Sequence, residues 1–513
     1  MDGKLLIEKL LAYAKAHLSL HDSDVDYMRN ILLSRFALTE AYEGTANLSA
    51  VGCMEIPDEL CKELSEYAVV HGLIEEGEEE RFCADVLGIL TPIPSAVNAA
   101  FWETKNSCGA QAACDRFYDL CVKNGYIQKT AIARNMKWDF SDGKNRLEIT
   151  VNLSKPEKSN KDIAKLLSVP QGKKYPKCQL CKENEGFEGT ASRPPRRNLR
   201  TIKINLGGEN WFVQYSPYAY YDEHCIAINE AHVPMNVDER TPEKLLDFVD
   251  IFPNYFIGSN ASLPIVGGSI LNHEHFQGGR HLMPMHAAGI AKTYRSKEFP
   301  SISIGILDWY NSAIRFEGED RREISAFAAK VISAWNGFSC PECDVICHTD
   351  TQHNAVSPIA RKIGDIYSFT VILRNNRTSK EYPDGIFHVH PEYQNIKSEG
   401  IGLIEAMGLF ILPGRLKKQL EEIAKILCGQ TEYDEKRLSD HTSDLFVHKG
   451  MIAQLMQEGV AQDIEDARAR CREYVNRTCA AILDNTAVFK KDENGRAGFA
   501  KFMRALDLEE IEK

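Results

Sequence analysis

The segment Gly267-Gly268-Ser269-Ile270-Leu271-Asn272-His273-Glu274-His275-Phe276-Gln277-Gly278-Gly279 gathers the densest set of chemically capable groups in the chain. In extended backbone, residues two apart point the same way, so His273, His275 and Gln277 share one face. The preceding Gly267-Gly268-Ser269 lets backbone N–H groups approach a phosphate, since glycine imposes no Cβ there. Three polar side chains beside an anion-friendly loop suit phosphoryl chemistry. Spacing alone leaves two other readings open, a metal-ligating histidine pair and two structural histidines with internal partners.

Two Cys-x-x-Cys pairs, Cys178 with Cys181 and Cys340 with Cys343, stand out among the 15 cysteines. Neither precedes a His, which excludes c-type haem attachment. The odd count over a long chain does not fit a disulfide framework, and most of these residues read as buried free thiols. Cys340-Pro341-Glu342-Cys343, with Cys347 and His348 nearby, has metal-like spacing but no assigned role.

The elements that must hold these groups follow from periodicity. Residues 1–170 read as mainly helical, with Leu5, Ile7, Leu10, Leu11 and Tyr13 at helical spacing, the acidic run Glu75 to Glu80 as a solvated turn or helix start, and the Lys-rich stretch Ser154 to Lys161 as a break. Near Pro170 the texture changes. Arg200 to Leu206, Gly207-Gly208 and Trp211 to Tyr215 form a hairpin signature, and His224 to Ile228 a third strand. Thr241-Pro242-Glu243 reads as a helix start with Thr as N-cap, followed by the apolar stripe Leu245, Leu246, Val249 and Phe252 and a short strand at Tyr255 to Ile257. A fainter copy follows, with a helix at Glu323 to Trp335, strands at Asp344 to Thr349 and Tyr367 to Arg374, a turn at Pro383-Asp384-Gly385, and His388-Val389-His390 closing the unit. From Gly400 onward the composition is helical again, interrupted at Pro413-Gly414. The fold class is α+β, an antiparallel sheet with helices across one face.

Composition narrows the function classes. The 513 residues are 43% hydrophobic and 26% charged, enough for an ordinary core. With 61 Lys and Arg against 73 Asp and Glu, the net charge of −12 has the wrong sign for a nucleic-acid binder. No stretch has the roughly 18 consecutive apolar residues of a membrane span, and charges interrupt the apolar rhythm of the first residues, so neither a membrane partner nor a signal peptide is expected and the location is cytoplasmic.

QYSPYAYYDEHCI, FIGSNASLPIVGGSI, LRNNRTSKEYPDGIFHVHPE and IGLIEAMGLFILPGR, together with the His-x-His-Phe-Gln-Gly-Gly motif, resemble the galactose-1-phosphate uridylyltransferase family. The match runs from Tyr175 to about Pro413 and is to the family's second sequence branch, which carries a long helical N-terminal region. The resemblance implies a histidine-triad superfamily fold duplicated in one chain: a helical region 1–170, a first histidine-triad-like domain 171–299 with the nucleophile, a second 300–400, and a helical region 401–513. It implies exchange of UMP between UDP-glucose and galactose 1-phosphate, without an organic cofactor.

By the same resemblance His275 is the nucleophile and Gln277 holds the transferring phosphoryl oxygens. Asn260, Gly268 and Ser269 contact the nucleotide phosphates, and Arg196, Arg197 and Arg200 could pair with the diphosphate or form a solvated face. Lys397 and Glu405 fall at the family's hexose-phosphate contacts, which a neighbouring subunit supplies, so a homodimer is expected. Cys178, Cys181, His232 and His273 match a structural zinc site. The family's other branch has Pro at the position of Glu274 and a second metal site at histidines resembling His353, His388 and His390. Two alternatives remain: a nucleotide hydrolase or phosphorylase of the same superfamily, which carries a third His where this chain has Gln277, and a non-enzymatic zinc module, which gives no reason for Gln277, Asn260 or the Gly-Gly-Ser loop.

Overall fold

The computed structural model describes residues 2–154, 175–190, 193–268 and 270–511; Ser269, most of the expected break after Ser154 and the boundary at 170 lie outside them. The chain forms two compact units, Met1–Arg134 with Ser154–Val233, and Asn135–Leu153 with Pro234–Lys513.

The chain opens in the first unit with helices, as the apolar spacing requires. Gly3–His17 buries Leu6, Ile7, Leu10, Leu11 and Ala14, while Asp2 caps it by accepting the Lys4 N–H. These residues join Leu60 and Leu64 of the helix Asp58–Val70 and Phe82 and Leu90 of Glu79–Leu90 in one core. The acidic run ends in that last helix, whose first turn carries Glu79 and Glu80 where the helix dipole favours them.

The hairpin β1 (Met136–Ser141) and β2 (Arg146–Asn152) belongs to the second unit. The chain then supplies the first unit with β3 (Ile202–Leu206), β4 (Glu209–Tyr215) and β5 (Cys225–Asn229), an antiparallel run whose first turn places Gly207 and Gly208 at positive φ. The expected strands here lie within one or two residues of the observed ones.

The second unit holds β6 (Phe256–Gly258), β7 (His275–Gly279), β8 (Ile290–Ser296), β9 (Ser303–Leu307), β10 (Ala313–Gly318), β11 (Asn354–Ile363), β12 (Ile366–Asn375), β13 (Leu409–Pro413) and β14 (Leu508–Glu510). Within this unit the sheet order is β14-β8-β9-β10-β12-β11-β6-β7, and β13 instead pairs parallel to β2. The register sorts side chains onto two faces. Phe316, Phe369, Tyr367 and Lys362 share one, and the helices cover it: Phe327 of Arg321–Gly337 meets Phe316, and Asp250 of Thr241–Ile251 takes hydrogen bonds from Lys362 and Tyr367. The opposite face carries Gln277, Gly258, Ile359, Ser357, Ala355 and Arg374.

Several local expectations change. The helix at 241 has Arg240 as N-cap, and the Thr241 hydroxyl instead accepts the Asp238 N–H. Residues 344–349 form no strand; isolated bridges pair Cys340 with Val345 and His348 with Gln352, because Asp344 turns into the left-handed region. His388 and His390 lie off any strand, unlike His275. Among the described residues no single helix is long and apolar enough to cross a membrane.

Candidate active site

His275 opens β7 and is buried. Its backbone N–H points at Met235 Sδ at 3.3 Å, and its Nδ1 lies 2.8 Å from the carbonyl oxygen of His273. A carbonyl can only accept, so Nδ1 carries the hydrogen and Nε2 keeps its lone pair. Burial holds the ring's pKa below the usual histidine value, which keeps it neutral at pH 7. A neutral imidazole with one fixed tautomer is a ready nucleophile.

Gln277 pairs with Gly258 and lies on the face away from the two large helices. Close approach of β6 and β7 depends on Gly278, where a β-carbon would lie 2.3 Å from the Phe256 carbonyl oxygen. One register step beyond Gly258 stands Asn260, buried, with its Oδ1 accepting the Leu403 N–H at 2.8 Å. Two glycines enclose this amide. A β-carbon at Gly268 would lie 2.8 Å from Asn260 Nδ2, and one at Gly402 3.0 Å from Asn260 Oδ1. Asn260 thus fixes the start of the short helix Leu403–Ala406, which carries Glu405.

Glu405 and Lys397 meet each other: Nζ is 3.2 Å from Oε1, and the same ammonium donates to the Ile411 carbonyl at 3.0 Å. Arg374, fully buried at the end of β12, donates from Nη2 to the Ile401 carbonyl at 2.8 Å; its Nε and Nη1 have no hydrogen-bond partner among the described residues. Burial pulls this guanidinium down to about 10, offset in part by Glu405. Asn260 and Arg374 together hold the turn 401–403 from two sides. Arg374 escaped the sequence reading because an arginine at a strand end reads as exposed.

In the first unit the ligand atoms of Cys178, Cys181 and His232 all lie within 4.8 Å of one another. Cys181 Sγ is 3.5 Å from Cys178 Sγ and 3.1 Å from His232 Nδ1. Backbone N–H groups of Leu180 and Cys178 point at the two sulfurs, and Asn184 ties the turn by donating to both cysteine carbonyls. Two thiols and an imidazole so disposed suit zinc in donor type. His273, in the second unit, is fully buried.

The arginines are tied into the first unit. Arg200 donates to the carbonyls of Gly88, Thr91, Pro92, Arg197 and Leu199. Arg197 pairs with the buried Asp85 at 3.0 Å, and Arg196 lies over the Tyr126 ring. The other histidines do not converge on a metal-ligand group among the described residues. His353 bonds Thr349 and Asn376, His390 bonds the Ile386 carbonyl and stacks on Tyr382, and both ring nitrogens of buried His388 lack partners among the described residues. Cys340 and Cys343 place their sulfurs 3.4 Å apart, with Cys343 Sγ directed at the Asn494 carbonyl.

A further residue behind the site is Lys244, whose Nζ lies 3.0 Å from Glu274 Oε1 with both side chains buried. A lysine beside the apolar stripe of a helix reads as solvent-facing, and its partner is far along the chain, so no local pattern announces the pair.

Residues 33–234 match the family profile described as galactose-1-phosphate uridyl transferase, N-terminal domain, and residues 247–443 that of the C-terminal domain. Galactose-1-phosphate uridylyltransferase of Caldanaerobacter subterraneus subsp. tengcongensis is 41% identical over 99% of this chain and 99% of its own length. The enzymes of the same name from Streptococcus mutans serotype c and Ligilactobacillus salivarius are 41% and 40% identical, over 94% and 99% of this chain and 96% and 100% of their own lengths. With both profiles matched and this identity along nearly its whole length, the chain belongs to the galactose-1-phosphate uridylyltransferase family.

Proposed function

We propose that this chain moves UMP from UDP-glucose to galactose 1-phosphate through a uridylyl-His275 intermediate. One observation carries the reading: His275 donates from Nδ1 to the His273 carbonyl and is buried neutral, which leaves Nε2 free to attack. In the first half-reaction Nε2 forms a bond to the α-phosphorus while the bond to the bridging oxygen breaks, and glucose 1-phosphate leaves with the electron pair. In the second, a phosphate oxygen of galactose 1-phosphate attacks the same phosphorus, the P–N bond breaks, and Nε2 regains its lone pair.

Gln277 donates hydrogen bonds to the phosphoryl oxygens but cannot act as a general base, which favours transfer over hydrolysis. Asn260 Nδ2, Gly268 and Ser269 receive the nucleotide phosphates. Lys397 and Glu405 take the hexose phosphate across the interface of a homodimer, which light scattering of the active protein tests: a fully active monomer removes that role. Arg196 and Arg197 stand as weaker diphosphate contacts, since Arg197 already has Asp85. Cys178, Cys181, His232 and His273 would hold zinc, a structural ion that clamps the approach to β7. The histidine-triad ancestry, the four-part division at 170, 299 and 400, and a cytoplasmic location complete the proposal.

The test is intact mass after incubation with UDP-glucose. A UMP adduct is expected, absent from His275→Ala, with parallel lines in double-reciprocal plots. An adduct that persists in His275→Ala overturns the assignment of the nucleophile.

A further inference from the structure

Glu274 immediately precedes β7, and its side chain turns to the helix-covered side, away from the face that carries Gln277. There the helix Thr241–Ile251 passes, and Lys244, in its first turn, reaches the carboxylate at 3.0 Å. Both side chains are nearly sealed, 8% and 6% exposed. A buried ion pair is a poor source of stability, because desolvation offsets most of its attraction, but it is sharply directional. Its effect falls on the backbone of one residue. That backbone joins the carbonyl of His273, which holds Nδ1 of His275, to the His275 N–H, which points at Met235 Sδ.

We propose that the Lys244–Glu274 pair is the device that aims His275: it pins residue 274 to the covering helix, so that the His273 carbonyl and the His275 ring keep one geometry while the ring is loaded and unloaded. Glu274 faces away from the reacting phosphorus and exchanges no proton with it. It is a positioning residue, as is Lys244. The inference rests on His275 as the nucleophile.

The decisive variant is Lys244→Met/Glu274→Leu, which leaves no charge unpaired and replaces the pair by apolar groups of similar size. Rapid-quench measurement of single-turnover uridylylation by UDP-glucose gives the limiting rate and the half-saturating concentration separately. Displacing a reacting group by about 1 Å costs on the order of 100-fold in rate. The limiting rate is therefore expected to fall by about 10- to 100-fold in the double variant, with half-saturation within about threefold of wild type. A double variant that reacts at the wild-type rate overturns the proposal, since the pair then only neutralises buried charge. If that variant does not fold, Glu274→Asp takes its place; it keeps the charge but shortens the reach by one methylene, and a wild-type rate there is equally fatal. Wild-type protein that forms no adduct on His275 would instead overturn the reading of the nucleophile.

Discussion

Gly268→Ala tests how tightly the Asn260 amide is held. The new methyl would stand 2.8 Å from Asn260 Nδ2 and 3.1 Å from its Cγ, so the amide must retreat by about 0.6 Å to reach ordinary contact. It is not free to do so. Its Oδ1 accepts the Leu403 N–H at 2.8 Å, and a retreat of that size stretches the bond beyond useful length. Losing a buried hydrogen bond and leaving its donor unpaired costs about 1–3 kcal/mol, which in a unit of this size lowers the melting temperature by roughly 2–4 °C per kcal/mol. Gly402→Ala presses on the same amide from the other side at 3.0 Å, a milder approach, and its expected loss is smaller. Where Asn260 also donates to a phosphate, uridylylation of His275 in Gly268→Ala is slowed by about 10²-fold or more. Thermal melts and a burst assay on both variants decide the matter. Gly268→Ala with wild-type stability and burst, or Gly402→Ala as the more damaged of the two, refutes the reasoning.

Gln277→Ala is expected to slow both half-reactions by about 10² to 10³ without abolishing the adduct, while Gln277→His raises UMP release relative to UDP-galactose; transfer by Gln277→Ala at the wild-type rate removes Gln277 from the chemistry. Elemental analysis of purified protein is expected to give zinc, lost in Cys181→Ser; full activity without bound metal returns the two thiols to ordinary cysteines. His448, buried between Gln419 and Asn395, has its pKa pulled down to about 4, mainly by burial and also by Arg415. The unfolded chain protonates this ring near pH 6.5 and the folded one only near 4, so its contribution is intact above 6.5 and is lost as pH falls toward 4, by about 3 kcal/mol at most. Urea unfolding at pH 7 and 4.5 is expected to show a smaller pH effect in His448→Gln than in wild type, and equal effects in both proteins sink the argument.

What could be read beforehand was local. The alternation of His273, His275 and Gln277, the Gly-Gly turn of β3 and β4, and the stripe of the helix Thr241–Ile251 each declare themselves within a dozen residues. The structure shows the turn, the stripe and His275 with Gln277 on β7, whereas His273 lies in a bend before that strand. What stayed hidden depends on partners distant in sequence. The long strand Asn354–Ile363 carries a mixed run with a proline at its centre, and only pairing on both sides makes it a strand. The hairpin Met136–Ser141 and Arg146–Asn152 lies inside a segment that composition groups with helices, and β13 joins it from more than 250 residues away. The same holds in the site: the histidines were legible, whereas Lys244 behind them and Arg374 under the 401–403 turn acquire meaning only through buried partners.

Strand β7 has, in effect, a reading frame. Its residues alternate between a side where helices lie and a side where Gln277 faces Gly258, and a β-carbon at Gly278 would strike the neighbouring backbone. Deleting Phe276 would slide Gln277 onto the helix side and set Gly278 opposite Gly258, so that every later position changes sides at once. A deletion of the same length in residues 280–289 shifts nothing in that ladder, because the chain there runs between strands. Length variation that preserves this ladder is thus confined by geometry to the connections, and the interval of two between His275 and Gln277 is as fixed a property of the strand as the identity of either side chain.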